Sequence, residues 1–301
     1  MSKLPTIACE ACGLNHVTQS TDSWKLRKCS DCNFVESETV VDYQRSRSNQ
    51  NFFDDQAFIV ARIALKDEFT ILARRRLKQL ASLWPLPQKT TLLEVGASAG
   101  EFIALARDEY GMQVTGMELA TSAVAYCREK QGLEMHTSFE SLKGKKYDIV
   151  SALHVIEHVL DINEFARNLA QHVSDGGALY IRTPNIHSAI SRVFGTNWPG
   201  LSVEHTKFLS KESTSKIFET HGLHVVFFGT ESHGRYLIGA FARMFSGGNY
   251  FGKKAGAGTN AIPNRRTLQL MRLADVLWYP MTILERKRKL GDELVILLQK
   301  K

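Results

Sequence analysis

Leu92-Leu-Glu-Val-Gly-Ala-Ser-Ala-Gly-Glu-Phe102 carries the clearest structural signal in the chain. An apolar run ends at Gly96, and Gly100 stands just before a new amphipathic segment, so the stretch reads as a strand, a tight turn and the start of a helix. Outward from it, short apolar runs alternate with helical periodicity. Strands are expected at 91–96, 113–118, 133–136, 147–153, 177–183, 223–229 and 292–299, and helices at 100–109, 121–131, 161–173 and 210–221. That alternation predicts an α/β domain, a mostly parallel sheet covered on both faces, with any ligand held beyond the carboxyl ends of the strands. An earlier helix fits 55–83, where Phe58, Ile59, Ile63, Phe69, Leu72, Leu77 and Leu80 form a broken apolar stripe that Pro85 and Pro87 end.

Composition narrows the classes. With 301 residues, 44% hydrophobic and 23% charged, the chain is neither disordered nor fibrous and is long enough for a large domain and a satellite. The longest late apolar stretch, Leu273 to Leu284, is broken by Asp275 and Pro280 and falls short of the roughly 18 residues of a membrane span. The start lacks the apolar core of a secretory signal, so a cytoplasmic location is expected. The net charge of +7 is concentrated: between 235 and 289 eleven Lys or Arg face only Asp275 and Glu285, which is +9 for that segment. Basic and apolar residues interleave there, and 265–290 is expected either to cap the site or to touch the inner face of an anionic membrane, where a lipid-linked acceptor would be found.

Four of the five cysteines form two knuckles, Cys9-x2-Cys12 and Cys29-x2-Cys32. Two thiolates three positions apart on a tight turn can face one ion, and a second turn completes a tetrahedral set, the zinc-ribbon arrangement. A segment of about 40 residues buries little core, so metal binding would supply its folding free energy. The expected organisation is a zinc-ribbon-like domain at 1–40, a linker and covering helix at 41–88, and a catalytic domain at 89–301 with a basic helical insert at 234–290. Cys127, on a predicted helix, reads as a core thiol.

Three chemistries compete for the turn. A dinucleotide fingerprint fails, because its third and sixth positions are Ser98 and Glu101. A nucleophile elbow, Gly96-Ala-Ser98-Ala-Gly100, is literally present and would make Ser98 a hydrolase nucleophile. Against it stands Val114-Thr-Gly-Met-Glu118: a second strand ending in a carboxylate that can accept both hydroxyls of a ribose. Glu94-x-Gly96-x-x-x-Gly100, Glu118 and Tyr147-Asp-Ile-Val-Ser-Ala-Leu153 together resemble the class I S-adenosylmethionine-dependent methyltransferases, over about 90–230 and again 291–300. The resemblance implies a Rossmann-like seven-stranded sheet with an antiparallel last strand, and S-adenosylmethionine as cofactor. It places the backbone of Gly96 and Ala97 on the methionine part, Glu118 on the ribose and Phe139 and Glu140 near the adenine. Glu94, Gly100, Leu119 and Leu153 complete its cofactor positions. Ser98 replaces the family's usual central glycine.

The acceptor is read from the strand ends that follow. Ser151-Ala-Leu-His154 lacks the N-P-P-Y loop of base-amine methyltransferases, and no cysteine beyond Cys127 could attack a pyrimidine. His154 and His158 would lie together on a helix, a weak metal pair. Alternatively, His158 is a base facing the acceptor or a histidine bonded to backbone. Glu204-His205-Thr-Lys-Phe-Leu-Ser210 resembles the E-H-x-x-(F/Y)-x-S segment of sugar methyltransferases, which also begin with a Cys-knuckle domain, although Ser202 stands where they carry an aromatic. That resemblance implies His158, His205 and Glu204 as proton-moving residues and a nucleotide-linked or lipid-linked sugar, or a similar small polar acceptor. A nucleic-acid partner, with the ribbon and insert gripping RNA, is the rival class; acidic residues among the ribbon's Lys and Arg speak against it.

Overall fold

The computed structural model describes residues 8–14, 16–20, 24–41, 60, 62–202, 204–245, 273–276 and 288–301. Part of the expected 41–88 linker and most of the 234–290 insert, including the run at 285–287, lie outside the described residues.

The main sheet has seven strands: β4 (Thr91–Val95), β5 (Gln113–Met117), β6 (Glu134–His136), β7 (Tyr147–Leu153), β8 (Val173–Pro184), β10 (Leu223–Glu231) and β11 (Glu293–Lys300), in the order β10-β11-β8-β7-β4-β5-β6. β4 pairs in parallel with β5 and β7, and β11 is antiparallel to both its neighbours. This is the expected Rossmann-like methyltransferase sheet. Two-residue periodicity divides its side chains between two cores. Leu93, Val95, Val150, Leu179, Ile181, Ile296 and Leu298 pack on α4 (Ile162–His172) and α6 (Lys211–Glu219). Leu92, Ile149, Tyr180, Val295 and Leu297 pack on α1 (Lys66–Leu83), α2 (Glu101–Tyr110) and α3 (Thr121–Gln131), with Cys127 buried among them as a core thiol. Strands apolar on both faces are what a sheet covered on both sides demands.

One boundary differs from expectation. β8 begins at Val173, directly after α4, where the strand was expected only from 177. The register between β7 and β8 shifts there, so Gly176 and Gly177 lie within a bulged strand.

A second sheet joins β1 (His16–Ser20), β2 (Lys25–Cys29) and β3 (Val35–Ser37) of the cysteine segment to β9 (Lys207–Phe208), a strand from far along the chain. Trp24, Val35 and Val40 share a core with Ile190 on α5 (Ala189–Phe194), Trp198, Leu201, Phe208 and Ala240, the last on α7 (Gly234–Phe245). α6 begins as expected at Ser210, whose hydroxyl accepts from Ser213 N (3.0 Å) while Ser213 Oγ accepts from Ser210 N (2.8 Å). Such reciprocal caps stabilise a helix end by about 1 kcal/mol. Among the described residues no helix is long and apolar enough to cross a membrane.

Candidate active site

The chain runs from β4 out to β6 and returns to β7 on the other side of β4, so strand order reverses between β4 and β7. A cavity of about 910 Å³ opens at that point, near the upper end of the roughly 300–1,000 Å³ usual for ligand sites.

Its first wall is the turn after β4. Gly96 has φ +76°, and a Cβ there would come within 2.4 Å of Val155 Cγ2, so no other residue fits. The amides of Gly96 and Ala97 both donate to the Met117 carbonyl (2.8 and 3.0 Å), so this loop meets a ligand with other groups than these two N–H. Ser98 also takes a left-handed backbone (φ 49°), and its buried hydroxyl has no hydrogen-bond partner. No imidazole bonds it, so the nucleophile–base pair of a hydrolase is not formed. Gly100 does not border the cavity. It caps α2 at φ +76°, where a Cβ would press Leu133 (2.7 Å) and Cys127 Sγ (3.0 Å), so its requirement is packing.

Glu118, at the end of β5, accepts three backbone amides: Leu119 N (2.7 Å) and Ala120 N (3.1 Å) at Oε1, and Ser98 N (2.8 Å) at Oε2. Leu119 is exposed at the cavity rim. Opposite lies Phe139, stacked on His172 (5.7 Å, 10°) and edge-on to Phe165 (6.1 Å). Glu140 does not reach the cavity; as the first residue of a 3₁₀ turn it points to solvent and pairs with Lys143 at 3.6 Å. Deeper, Glu94 is buried with Oε2 unpartnered. Burial and the nearby charge of Glu101 push its carboxyl well above the usual range, against Arg62 and Arg76. Glu101 itself is held by Arg62 through two 3.2 Å bonds. Leu153 lines the floor at the end of β7.

After β7 the chain is not the helix that would pair His154 with His158. His154 is left-handed (φ 59°), and a 3₁₀ turn spans Ile156–His158. The two imidazoles therefore diverge. His154 Nδ1 lies 3.1 Å from Glu157 Oε1, and its Nε2 3.3 Å from Glu293 Oε1, misaligned for a hydrogen bond. Burial alone would lower the His154 pKa; the two carboxylates outweigh it and raise it. Burial alone would raise Glu157, and His154 together with the neighbouring imidazoles holds it down at about 2. Behind them Arg182, 1% exposed, binds Glu293 through Nε (3.1 Å) and Nη2 (2.7 Å) and also meets Glu231 and Gln79.

His158 borders the cavity, and its Nδ1 lies 3.0 Å from the Glu204 carbonyl. A carbonyl only accepts, so Nδ1 carries a proton, and in the neutral ring the lone pair is on Nε2. This histidine is thus bonded to backbone and borders the cavity at the same time. It is the Glu204 carbonyl that orients the ring; the Glu204 carboxyl borders the cavity separately, pushed up by burial. His205 stands behind His158, ring centroids 4.8 Å apart and edge-on, with Nδ1 on Gly200 O at 2.8 Å. Burial and His158 lower its pKa to about 4, so it is neutral and does not border the cavity.

The residues that sequence reasoning did not place in the site are Glu157, Arg182 and Glu293, and His154 was read there only as half of a metal pair with His158. A signal existed: Arg182 and Glu293 are charges inside the buried, apolar parts of their strands, ALYIRTP and ELVILL.

The four knuckle cysteines converge, with Cys9 Sγ–Cys32 Sγ 3.6 Å and Cys12 Sγ–Cys29 Sγ 3.5 Å and all four sulfurs within 4.8 Å of one another. None is in a disulfide. Four thiolates at about 2.3 Å from one tetrahedral ion stand about 3.8 Å apart, which matches this spacing.

Comparison with known proteins identifies the family. The family described as Methyltransferase domain matches residues 66–226. The chain is similar to the ubiquinone biosynthesis O-methyltransferases of Rickettsia canadensis (30% identical over 152 residues, 46% of this chain and 64% of that protein) and Rickettsia prowazekii (36% over 104 residues, 32% and 41%). It therefore spans only about two fifths to just under two thirds of the length of those relatives. In fold it is similar to a SAM-dependent methyltransferase from Archaeoglobus fulgidus (TM-score 0.50, 19% identity, 77% of this chain and 94% of that one). A chain of the complex between the Haloferax volcanii Trm112 methyltransferase activator and a methyltransferase is comparable (TM-score 0.51, 16% identity, 80% and 97%). With more than half of the chain matched, the protein belongs to the methyltransferase domain family, class I and S-adenosylmethionine-dependent.

Proposed function

We propose that this domain transfers a methyl group from S-adenosylmethionine to a hydroxyl of a small polar acceptor, a sugar of a nucleotide-linked or lipid-linked glycan, with His158 as the base. The observation that carries the reading is the His158 Nδ1 bond to the Glu204 carbonyl, which leaves the lone pair on Nε2 in a ring bordering the cavity. When bound, the cofactor supplies an electrophilic methyl on a sulfonium. The cavity fits such a molecule: Glu118 for a ribose, Leu119 and Phe139 for a flat ring, the unpartnered Ser98 hydroxyl and Glu94 Oε2 for polar groups, and several carboxylates for positive charge. The chain's own work is to align the acceptor oxygen, keep water out and take one proton. His158 takes it, His205 backs the ring, and the Glu204 carboxyl meets an acceptor hydroxyl. Zinc on Cys9, Cys12, Cys29 and Cys32 would be structural, since four thiolates leave no open position. Contact of 265–290 with an anionic membrane remains part of the proposal for a lipid-linked acceptor.

A second reading has one observation in its favour. Phe69, Leu72, Phe102 and Val155 give the cavity an apolar wall, which suits a phenolic ring such as the relatives' names suggest. Labelled-methyl transfer tests both: full-length protein with a nucleotide-linked deoxysugar, a lipid-linked glycan or a catechol. Methyl transfer to a sugar, with His158→Ala lowering turnover about 10²–10⁴-fold and leaving cofactor affinity intact, is expected. Transfer to the catechol alone selects the second reading, and turnover unaffected by His158→Ala removes the base. One zinc per chain by elemental analysis, lost in Cys12→Ser, is expected for the ribbon.

A further inference from the structure

Lys207 is 2% exposed, in a strand of two residues. Its ammonium lies between two carboxylates of the cysteine segment, Glu10 and Glu36. Glu10 stands inside the first knuckle, between Cys9 and Cys12, so the geometry of the four cysteines sets its place. Its other oxygen accepts from Ile162 N at 2.9 Å, at the start of α4. Glu36 is the residue of β3 in register with Lys207.

The same short strand leads to the base. Thr206 is bonded on both sides: its carbonyl accepts from Ser37 N of the ribbon (2.9 Å), and its amide donates to Glu157 O (2.7 Å). Its hydroxyl reaches Val159 O at 2.7 Å. Two residues before it, the Glu204 carbonyl accepts from His158. Two paired residues make a weak strand by themselves, and a buried ammonium without its counter-charges costs several kcal/mol. Segment 204–208 is therefore held on one side by Glu157 and Val159 and on the other by the ribbon, through Ser37, Glu10 and Glu36.

We propose that Lys207 is a positioning residue through which the four-cysteine ribbon orients His158 by holding the Glu204 carbonyl against its Nδ1. The inference rests on the reading of His158 as the base only for its catalytic meaning; the orientation itself is measured without turnover. The cofactor wall stands apart from this linkage. Glu118, Ser98 and the Gly96–Gly100 turn are bonded to one another and to Met117, and none of those bonds involves the ribbon.

The test uses full-length protein labelled with ¹⁵N-histidine and loaded with S-adenosylhomocysteine. Long-range ¹H–¹⁵N spectra report the His158 tautomer, and calorimetry reports affinity. In the untreated protein His158 should be a single Nδ1–H tautomer. In Lys207→Met, and in the unmutated protein stripped of metal by a chelator, it should become a mixture, while S-adenosylhomocysteine affinity stays within about twofold, as for sites without shared partners. If Lys207→Met does not fold, Glu10→Gln, which keeps an acceptor for Ile162 N and removes the charge beside Lys207, is measured in its place. An unchanged His158 tautomer in either the variant or the stripped protein overturns the proposal. So does cofactor affinity lost in step with the tautomer, since the contact would then hold only the whole fold. Failure of the unmutated protein to bind S-adenosylhomocysteine would instead refute the cofactor reading.

Discussion

Replacing Glu118 by alanine is the most direct probe of the cavity, and its magnitude can be worked from three distances. An ionised carboxylate offers about four acceptor positions. In this structure three are taken, by Leu119 N and Ala120 N at Oε1 and by Ser98 N at Oε2. A ribose brings two hydroxyl donors, so holding both requires the carboxylate to release one amide. The net gain is one charge-assisted hydrogen bond, about 1.5–3 kcal/mol, which is roughly tenfold to 150-fold in affinity. Glu118→Ala should weaken S-adenosylhomocysteine by that factor in calorimetry. The fold itself should lose only about 1–2 kcal/mol, because water can reach amides at this partly open rim. The cycle is closed with the 2′-deoxy analogue: its penalty should be present in the unmutated protein and absent in Glu118→Ala. An alanine variant that binds S-adenosylhomocysteine within twofold of the unmutated protein, or one in which the deoxy penalty persists, refutes the placement of the ribose.

Ser98→Gly removes a left-handed backbone strain of about 1–2 kcal/mol and a buried hydroxyl without a partner, against about 0.4–1 kcal/mol of added unfolded-chain entropy. The ligand-free protein should gain about 1–2 kcal/mol, a melting temperature higher by roughly 2–6 °C by calorimetry, and a fall would contradict the strain. Acid stability follows from two depressed pKa values. The unfolded chain protonates His205 near 6.5 and the folded one only at about 4, so stability should fall as pH drops through that window. It should fall again between 4.5 and about 2 as Glu157 loses its charge. Urea midpoints across pH 3–8 check this, and His205→Phe should flatten the upper limb; a variant as pH-sensitive as the parent would assign that limb elsewhere. Arg182→Met removes the guanidinium that bridges the buried Glu293 and its neighbour Glu231 and should cost about 3–5 kcal/mol in urea unfolding. Adding Glu293→Gln should recover part of that loss, and no recovery would show that packing, not charge, is at stake.

What could be read along the chain is what local rules govern. The alternation of Leu92, Leu93 and Val95, the glycine at Gly96 and the cap at Ser210 are set by residues within a few positions of one another, and the structure places them as expected. Even Glu118 was legible, since a carboxylate ending a strand has a fixed relation to the turn beside it. The His154–His158 segment was not, because helical spacing assumes a helix. His154 instead turns left-handed with its amide on Arg182 O at 2.8 Å, a partner on the neighbouring strand. Glu204 was legible as a residue and not as a contact, because it is its carbonyl, common to every residue type, that orients His158. Long-range charge pairs join residues 182 to 293, 154 to 293 and 10 to 207, separations that no periodicity reaches. Yet each of these charges breaks a local rule: Arg182 and Glu293 sit in apolar strands, and Lys207 stands between Thr206 and Phe208 where a buried strand would want an apolar residue. A sequence that keeps such violations must satisfy them elsewhere in the fold. Register β11 against β8, Val295 opposite Arg182, and Glu293 comes within reach of that guanidinium. Register β9 against β3, and Glu36 falls opposite Lys207. A buried charge in an apolar strand is thus a statement about its neighbouring strand: Arg182 and Glu293 meet beside His154, and Lys207 meets Glu36 next to Thr206, whose amide binds the Glu157 carbonyl.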